Sequence, residues 1–169
     1  MVRSLPERTL VAANSDHSVF GPPTNFSFID DNVSGSGLPL LKSEIDWTKK
    51  MGITSILSLT EFPLIQKWVK DLEYKDVPIC DHSIPTLDQL SEAVEYVLLN
   101  VKRNNKVLVH CLAGKGRTGT VLAAYLCMKN RITPEESLKV LRLERPGSVE
   151  TKQIPALVQF CQENGLPNH

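Results

Sequence analysis

Apolar positions along this chain recur at two spacings, and the spacing changes wherever glycine or proline intervenes. After Thr86, the residues Leu90, Ala93, Val94, Val97, Leu98 and Val101 form one apolar stripe at helical spacing. Thr86 and Gln89 make a capping box at its start, and Lys102 and Arg103 suit its C-terminal end. Residues 121–128 are apolar almost all round, which predicts a buried central helix. Thr133, Pro134 and Glu136 supply an N-cap, a first-turn proline and a capping-box partner for a helix reaching Glu144, which Pro146-Gly147 breaks. A last helix carries Ile154, Leu157, Val158 and Cys161, with Pro155 tolerable only in its first turn. Earlier, residues 42–51 read as a short amphipathic helix that buries Ile45 and Trp47 and closes at Gly52. Residues 61–72 predict another, with Leu64, Ile65, Trp68 and Val69 at helical spacing.

Strand signals fall between these helices: residues 26–29, 53–59, 74–77 and 107–109. Residues 30–32 read as a polar turn and Ser34-Gly35-Ser36-Gly37 as a flexible stretch, while 79–85 has no period and reads as a loop. There are no internal repeats. Alternating strands and helices predict an α/β fold, with a small, mainly parallel central sheet of about four or five strands flanked by helices on both faces. Residues 1–22 show no clear period and read as a loosely ordered arm, leaving 23–169 as one domain.

Composition narrows the partners more than the fold. Lys and Arg number 19 and Asp and Glu 19, so nothing draws the chain as a whole to nucleic acid or an anionic membrane surface. No apolar run approaches the ~18 residues of a membrane span, and residues 1–8 lack a signal-peptide core, so the cytoplasm is the expected compartment. The four cysteines form no CxxC pair, which argues against a zinc ribbon or a disulfide framework. Cys127 and Cys161 lie in helical apolar patterns and read as small buried hydrophobes, and Cys80 as an ordinary loop thiol, with a disulfide that caps an oxidised Cys111 as the alternative.

Cys111 stands apart. The apolar run Val107-Leu108-Val109 ends in His110-Cys111, and Leu112-Ala113-Gly114-Lys115-Gly116 then leads to Arg117-Thr118 and a helix. Strand, glycine loop and helix N-terminus hold anions, because unpaired backbone N–H groups and the positive helix end converge there. Three readings compete. Gly114 to Gly119 satisfies GxGxxG, but a dinucleotide fold needs an acidic strand end about 20 residues on, where this chain begins a capped helix at Thr133. A triphosphate P-loop fails because Gly116, not Ser or Thr, follows Gly114-Lys115. The third reading, HCx5R followed by Ser or Thr, uses every unusual residue: five residues curl so that successive amides face one phosphate, with sulfur below and guanidinium at the rim. The amides, the helix dipole and a nearby arginine all favour thiolate over thiol.

On this motif the chain resembles the dual-specificity protein phosphatases, above all the small atypical VHZ-type enzymes and archaeal protein tyrosine phosphatases. The likeness covers residues 23–162 and includes Thr24-Asn25-Phe26-Ser27-Phe28, Ser58-Leu59-Thr60-Glu61 and Arg145-Pro146-Gly147-Ser148-Val149-Glu150-Thr151. It implies a cysteine-dependent phosphatase fold and a metal-independent hydrolysis of phosphotyrosine, extending to phosphoserine and phosphothreonine, through a cysteinyl-phosphate. Cys111 is then the nucleophile, Arg117 the phosphate clamp, and the amides of Leu112, Ala113, Gly114, Lys115, Gly116 and Arg117 the phosphate cradle. The resemblance also implies a general acid upstream of Cys111. Asp76 falls in a strand and Asp88 in a capped first turn, whereas Asp81 lies in the aperiodic loop; Ile79-Cys80 precedes it where larger relatives have Trp-Pro.

The remaining roles follow from the same likeness. His110 holds the loop backbone, Thr118 assists the departing thiolate, and Glu150 and Gln153 orient the hydrolytic water, with helix-opening polar residues as the alternative for that pair. Asn25 either braces the loop or is an ordinary strand-edge residue. The implied partners are a phosphorylated protein or peptide, with phosphate, vanadate and other oxyanions as ligands. No cofactor, metal, nucleic acid or membrane is implied, and a monomer is expected. Two other functions stay open. The Ala113-Gly114-Lys115-Gly116-Arg117 run resembles the phosphatase-and-tensin type, which implies an inositol-phosphate or phosphoinositide phosphatase with Lys115 binding extra phosphates, although Leu112 stands where that type carries a second Lys. A non-catalytic phosphopeptide-binding module is disfavoured because Cys111, Arg117 and Asp81 are all present.

Overall fold

A computed structural model describes residues 20–168. The arm expected at residues 1–22 lies almost wholly outside the described residues. Five strands form one sheet: β1 (Ser27–Phe28), β2 (Val33–Ser36), β3 (Ser55–Ser58), β4 (Glu73–Asp76) and β5 (Val107–His110), in the order β1-β2-β5-β3-β4. Only β1 runs antiparallel to its neighbour; the β2–β5, β5–β3 and β3–β4 pairings are parallel. The mainly parallel α/β sheet expected from the pattern is therefore present, with β5 at its centre.

Alternation along each strand divides the interior in two. Ile56 and Leu108 face a smaller core with Ile45 of α1 (Lys42–Lys50) and Val69 of α2 (Gln66–Val69). Leu57 and Val109 face the larger core, closed by α3 (Leu87–Lys102), α4 (Gly116–Asn130), α5 (Pro134–Glu144) and α6 (Ile154–Glu163). Both capping boxes form: the Thr86 hydroxyl accepts from the Gln89 amide and Thr133 from that of Glu136, at 3.1 Å each. Gly52, at φ 83°, follows α1 as foreseen, and Pro155 sits in the first turn of α6. Cys127 and Cys161 are fully buried. No helix among the described residues is long and apolar enough to cross a membrane.

Two expectations need correction. The Ser34-Gly35-Ser36 stretch is not flexible: it is most of β2, buried along its length and paired to both β1 and β5. The helix expected across 61–72 shrinks to Gln66–Val69, since Pro63 precedes it and the Leu64 amide is spent on the Tyr74 hydroxyl at 2.9 Å.

Candidate active site

Parallel strands bring their C-terminal ends to one edge, and the segments after β2, β3, β4 and β5 meet there. The loop after β5 starts at Cys111, which is 2% exposed and whose sulfur accepts the Gly114 amide at 3.2 Å. Gly114 has φ 74°, and a Cβ there would stand 2.5 Å from the backbone of Ser36 and Gly37, so both its conformation and its crowding demand glycine. The loop is braced from outside. Asn25 Nδ2 donates to the carbonyls of Ala113 and Gly114 at 3.2 and 3.1 Å, and the Leu38 amide to that of Leu112 at 2.9 Å. Helix α4 then begins without any side-chain cap, so its first amides remain available to an anion.

Arg117, 3% exposed, lies in the first turn of α4. Its Nη2 donates to Asp81 Oδ1 at 2.7 Å; its Nη1 donates to the Ile79 carbonyl at 2.8 Å and to Glu61 Oε2 at 3.2 Å. Glu61 also accepts the Asp81 amide at 2.7 Å, and this bond, with Arg117 adding to it, holds the Glu61 carboxyl below the usual carboxylate range. Asp76 instead accepts the Tyr74 hydroxyl at 2.7 Å, and Asp88 sits exposed in the first turn of α3. Of the three aspartates weighed from sequence, Asp81 is the one that meets Arg117.

Cys111, Arg117 and Asp81 share a pocket of about 180 Å³, walled also by Lys115, Glu150 and Gln153. The Gln153 side-chain Oε1 accepts the Glu150 amide at 3.0 Å, so the helix-opening role applies to Gln153 even as it lines the pocket. His110 is wholly buried, with Nδ1 3.3 Å from the Cys111 carbonyl; burial pushes its pKa down to about 4. The Thr118 hydroxyl is buried without a partner among the described residues, and the Gly114 amide is the donor on the sulfur. Cys80 is exposed and, like Cys111, a free thiol.

Residues 24–158 match the family described as the Swiss Army Knife protein, DSP-PTPase phosphatase domain. The chain belongs to the DSP-PTPase phosphatase family. Human dual specificity protein phosphatase 6 is 31% identical over 127 residues, covering 73% of this chain and 33% of that protein. Inositol diphosphatase DSP3 of Arabidopsis thaliana is 32% identical over 124 residues, covering 67% of this chain and 60% of that one. The crystal structure of Tk-PTP in its active form is similar at a TM-score of 0.74 and 30% identity, covering 82% of this chain and 97% of that one. The chain thus spans about a third of the human relative and less than two thirds of the plant one.

Two residues of this phosphatase domain carry structural weight that sequence reasoning did not assign. Glu61 joins the acid loop to Arg117, as described above. Arg145, 1% exposed, donates to the carbonyls of Asn25 (2.9 Å), Gly35 (2.9 Å) and Gly114 (2.5 Å) and to the Ser27 hydroxyl (2.7 Å). Both stand inside the segments that carried the family resemblance. That was the available signal, since their partners are remote in the chain.

Proposed function

We propose that this domain is a protein phosphatase that hydrolyses phosphotyrosine, and phosphoserine and phosphothreonine in the same pocket, through a cysteinyl-phosphate intermediate. What carries the reading is one juxtaposition: a buried Cys111 sulfur, held by a loop amide, lines the same pocket as the Arg117–Asp81 pair. The Cys111 thiolate attacks phosphorus, forming the S–P bond as the P–O bond to the leaving group breaks. An incoming phosphoryl group competes with Asp81 for the Arg117 guanidinium, and the loop amides and Arg117 hold its equatorial oxygens. Asp81 gives its proton to the departing oxygen. As a carboxylate it then takes a proton from the water that attacks the phosphocysteine, while Glu150 and Gln153 orient that water and the Thr118 hydroxyl supports the released thiolate. No step is assigned to a metal or a cofactor.

Cys111→Ser is expected to keep phosphate binding and abolish release of p-nitrophenol from p-nitrophenyl phosphate, with wild-type turnover blocked by vanadate and indifferent to chelator. Substantial turnover by the serine variant overturns the scheme. A second reading, an inositol-phosphate phosphatase, is supported by Lys115 on the pocket wall and by the activity in the plant relative's name. Comparing turnover of a phosphotyrosine peptide panel with that of soluble inositol phosphates decides between the two.

A further inference from the structure

Val149 occupies the left-handed region at φ 65°, where a β-branched side chain is a genuine outlier. Gly147, two residues earlier, has φ 78° and open space around it, so the turn at 145–150 places its glycine elsewhere and leaves valine in the harder position. Such a conformation persists only where its surroundings over-determine it. Here they do. The Val149 side chain is buried, its amide donates to the Lys115 carbonyl of the catalytic loop at 3.2 Å, and Arg142 of α5 grips it from behind. The Arg142 guanidinium donates from Nε to the Ser148 carbonyl and from Nη2 to the Val149 carbonyl, each at 3.0 Å.

The kinked backbone lies flush on α4: a Cβ on Gly119 would stand 2.7 Å from the Val149 nitrogen. The next residue is Glu150. A Cβ on Gly116 would stand 2.9 Å from Glu150 Oε1 and 3.1 Å from the Gln153 amide group, so the turn delivers both side chains onto the catalytic loop. Beyond the turn, Lys152 pairs with Glu150 at 3.3 Å and donates to the His82 carbonyl, reaching the loop of Asp81.

We propose that Val149 and Arg142 are positioning residues: Arg142 holds Val149 in its left-handed conformation, and that kink aims Glu150 at the water that hydrolyses the phosphocysteine. This rests on the phosphatase reading above and adds to it a device outside the pocket. A residue that acts only on the second half-reaction leaves the first intact, so loss of the clamp slows breakdown of the phosphoenzyme and not its formation.

The experiment compares wild type, Arg142→Ala and the double variant Arg142→Ala/Val149→Gly, because glycine adopts the left-handed conformation without a clamp. Arg142 is exposed on α5 and alanine is a strong helix former, so the fold survives the change. With p-nitrophenyl phosphate, Arg142→Ala is expected to lower kcat about tenfold and to show a pre-steady-state burst of p-nitrophenol, the scale that a small misplacement of a reacting group costs. Hydrogen exchange across residues 148–153 should quicken in that variant, and the double variant should recover both kcat and protection. A kcat and exchange pattern unchanged by Arg142→Ala overturns the inference, as does a loss that Val149→Gly fails to rescue. Wild-type protein without turnover of any phosphate ester overturns the phosphatase reading itself, and the exchange comparison alone then decides whether Arg142 holds the kink.

Discussion

Burial decides what the His110 imidazole can do with a proton. His110 is neutral at physiological pH because burial, its first cause, outweighs its bond to the Cys111 carbonyl and takes its pKa from 6.5 down to about 4. A neutral, buried imidazole fits the loop-holding role expected of it from the sequence. Between about pH 6.5 and 4 the unfolded chain binds a proton there that the folded chain refuses. Stability is therefore fully present above that window and falls as pH drops through it, by about 3 kcal/mol at the limit. Urea unfolding at pH 7 and pH 4.5 should show wild type losing about 2–3 kcal/mol more than His110→Asn; parallel losses count against the assignment. Asp81 is partly exposed and in contact with the pocket's guanidinium. Asp81→Ala should cost roughly 10²–10⁴ in kcat for phenyl phosphate and less for p-nitrophenyl phosphate, whose better leaving group needs less protonation. Asp88→Ala, on the outer turn of α3, should leave both rates near wild type. The reverse ranking makes Asp88 the acid.

At the scale of elements, the instructive strand is β2. Strands covered on both faces are ordinarily rich in Val, Ile and Leu, and β2 is Val-Ser-Gly-Ser. Its smallness comes from what lies against it: a Cβ on Gly35 would stand 2.8 Å from Leu122 Cδ1, 3.0 Å from Thr118 Cγ2 and 3.1 Å from Arg145 Cζ. Gly35→Ala should therefore destabilise the fold by about 1–3 kcal/mol, read as a lower urea midpoint at unchanged m-value. An unchanged midpoint means that Leu122 alone yields and the contact is slack. This explains which parts of the molecule could be read from the chain. The stripe from Leu90 to Val101, the boxes at Thr86 and Thr133, and the HCx5R loop all depend on partners a few residues away, so their spacing is their signature. Glu61 meets Arg117 across 56 residues and Arg145 meets Gly114 across 31, and no local period encodes either contact. The glycine of β2 was misleading for the same reason: its demand is set by α4 and by Arg145, far along the chain. The chemistry of Cys111 was local, and the brace that holds its loop was not.

Across the whole molecule, Arg145 is the point where those distant segments are tied. One guanidinium at the end of α5 joins Asn25, Ser27 of the edge strand β1, Gly35 within β2 and Gly114 of the loop that follows Cys111. Burial pushes its pKa down, and attraction to Cys111 returns part of that shift, so it stays a cation set behind Cys111. Its planar fork serves acceptors that diverge in space, which a single ammonium cannot do. Arg145→Lys keeps the charge but leaves several buried acceptors without donors, and should cost about 2–4 kcal/mol by urea unfolding. Turnover should fall together with stability, because the Gly114 carbonyl that Arg145 grips belongs to the residue whose amide holds the Cys111 sulfur. The two readouts separate the possible roles. A stability loss with unchanged kcat in the folded variant means that Arg145 ties the sheet but not the loop. Unchanged stability and unchanged turnover mean that a point charge suffices and the fork is dispensable.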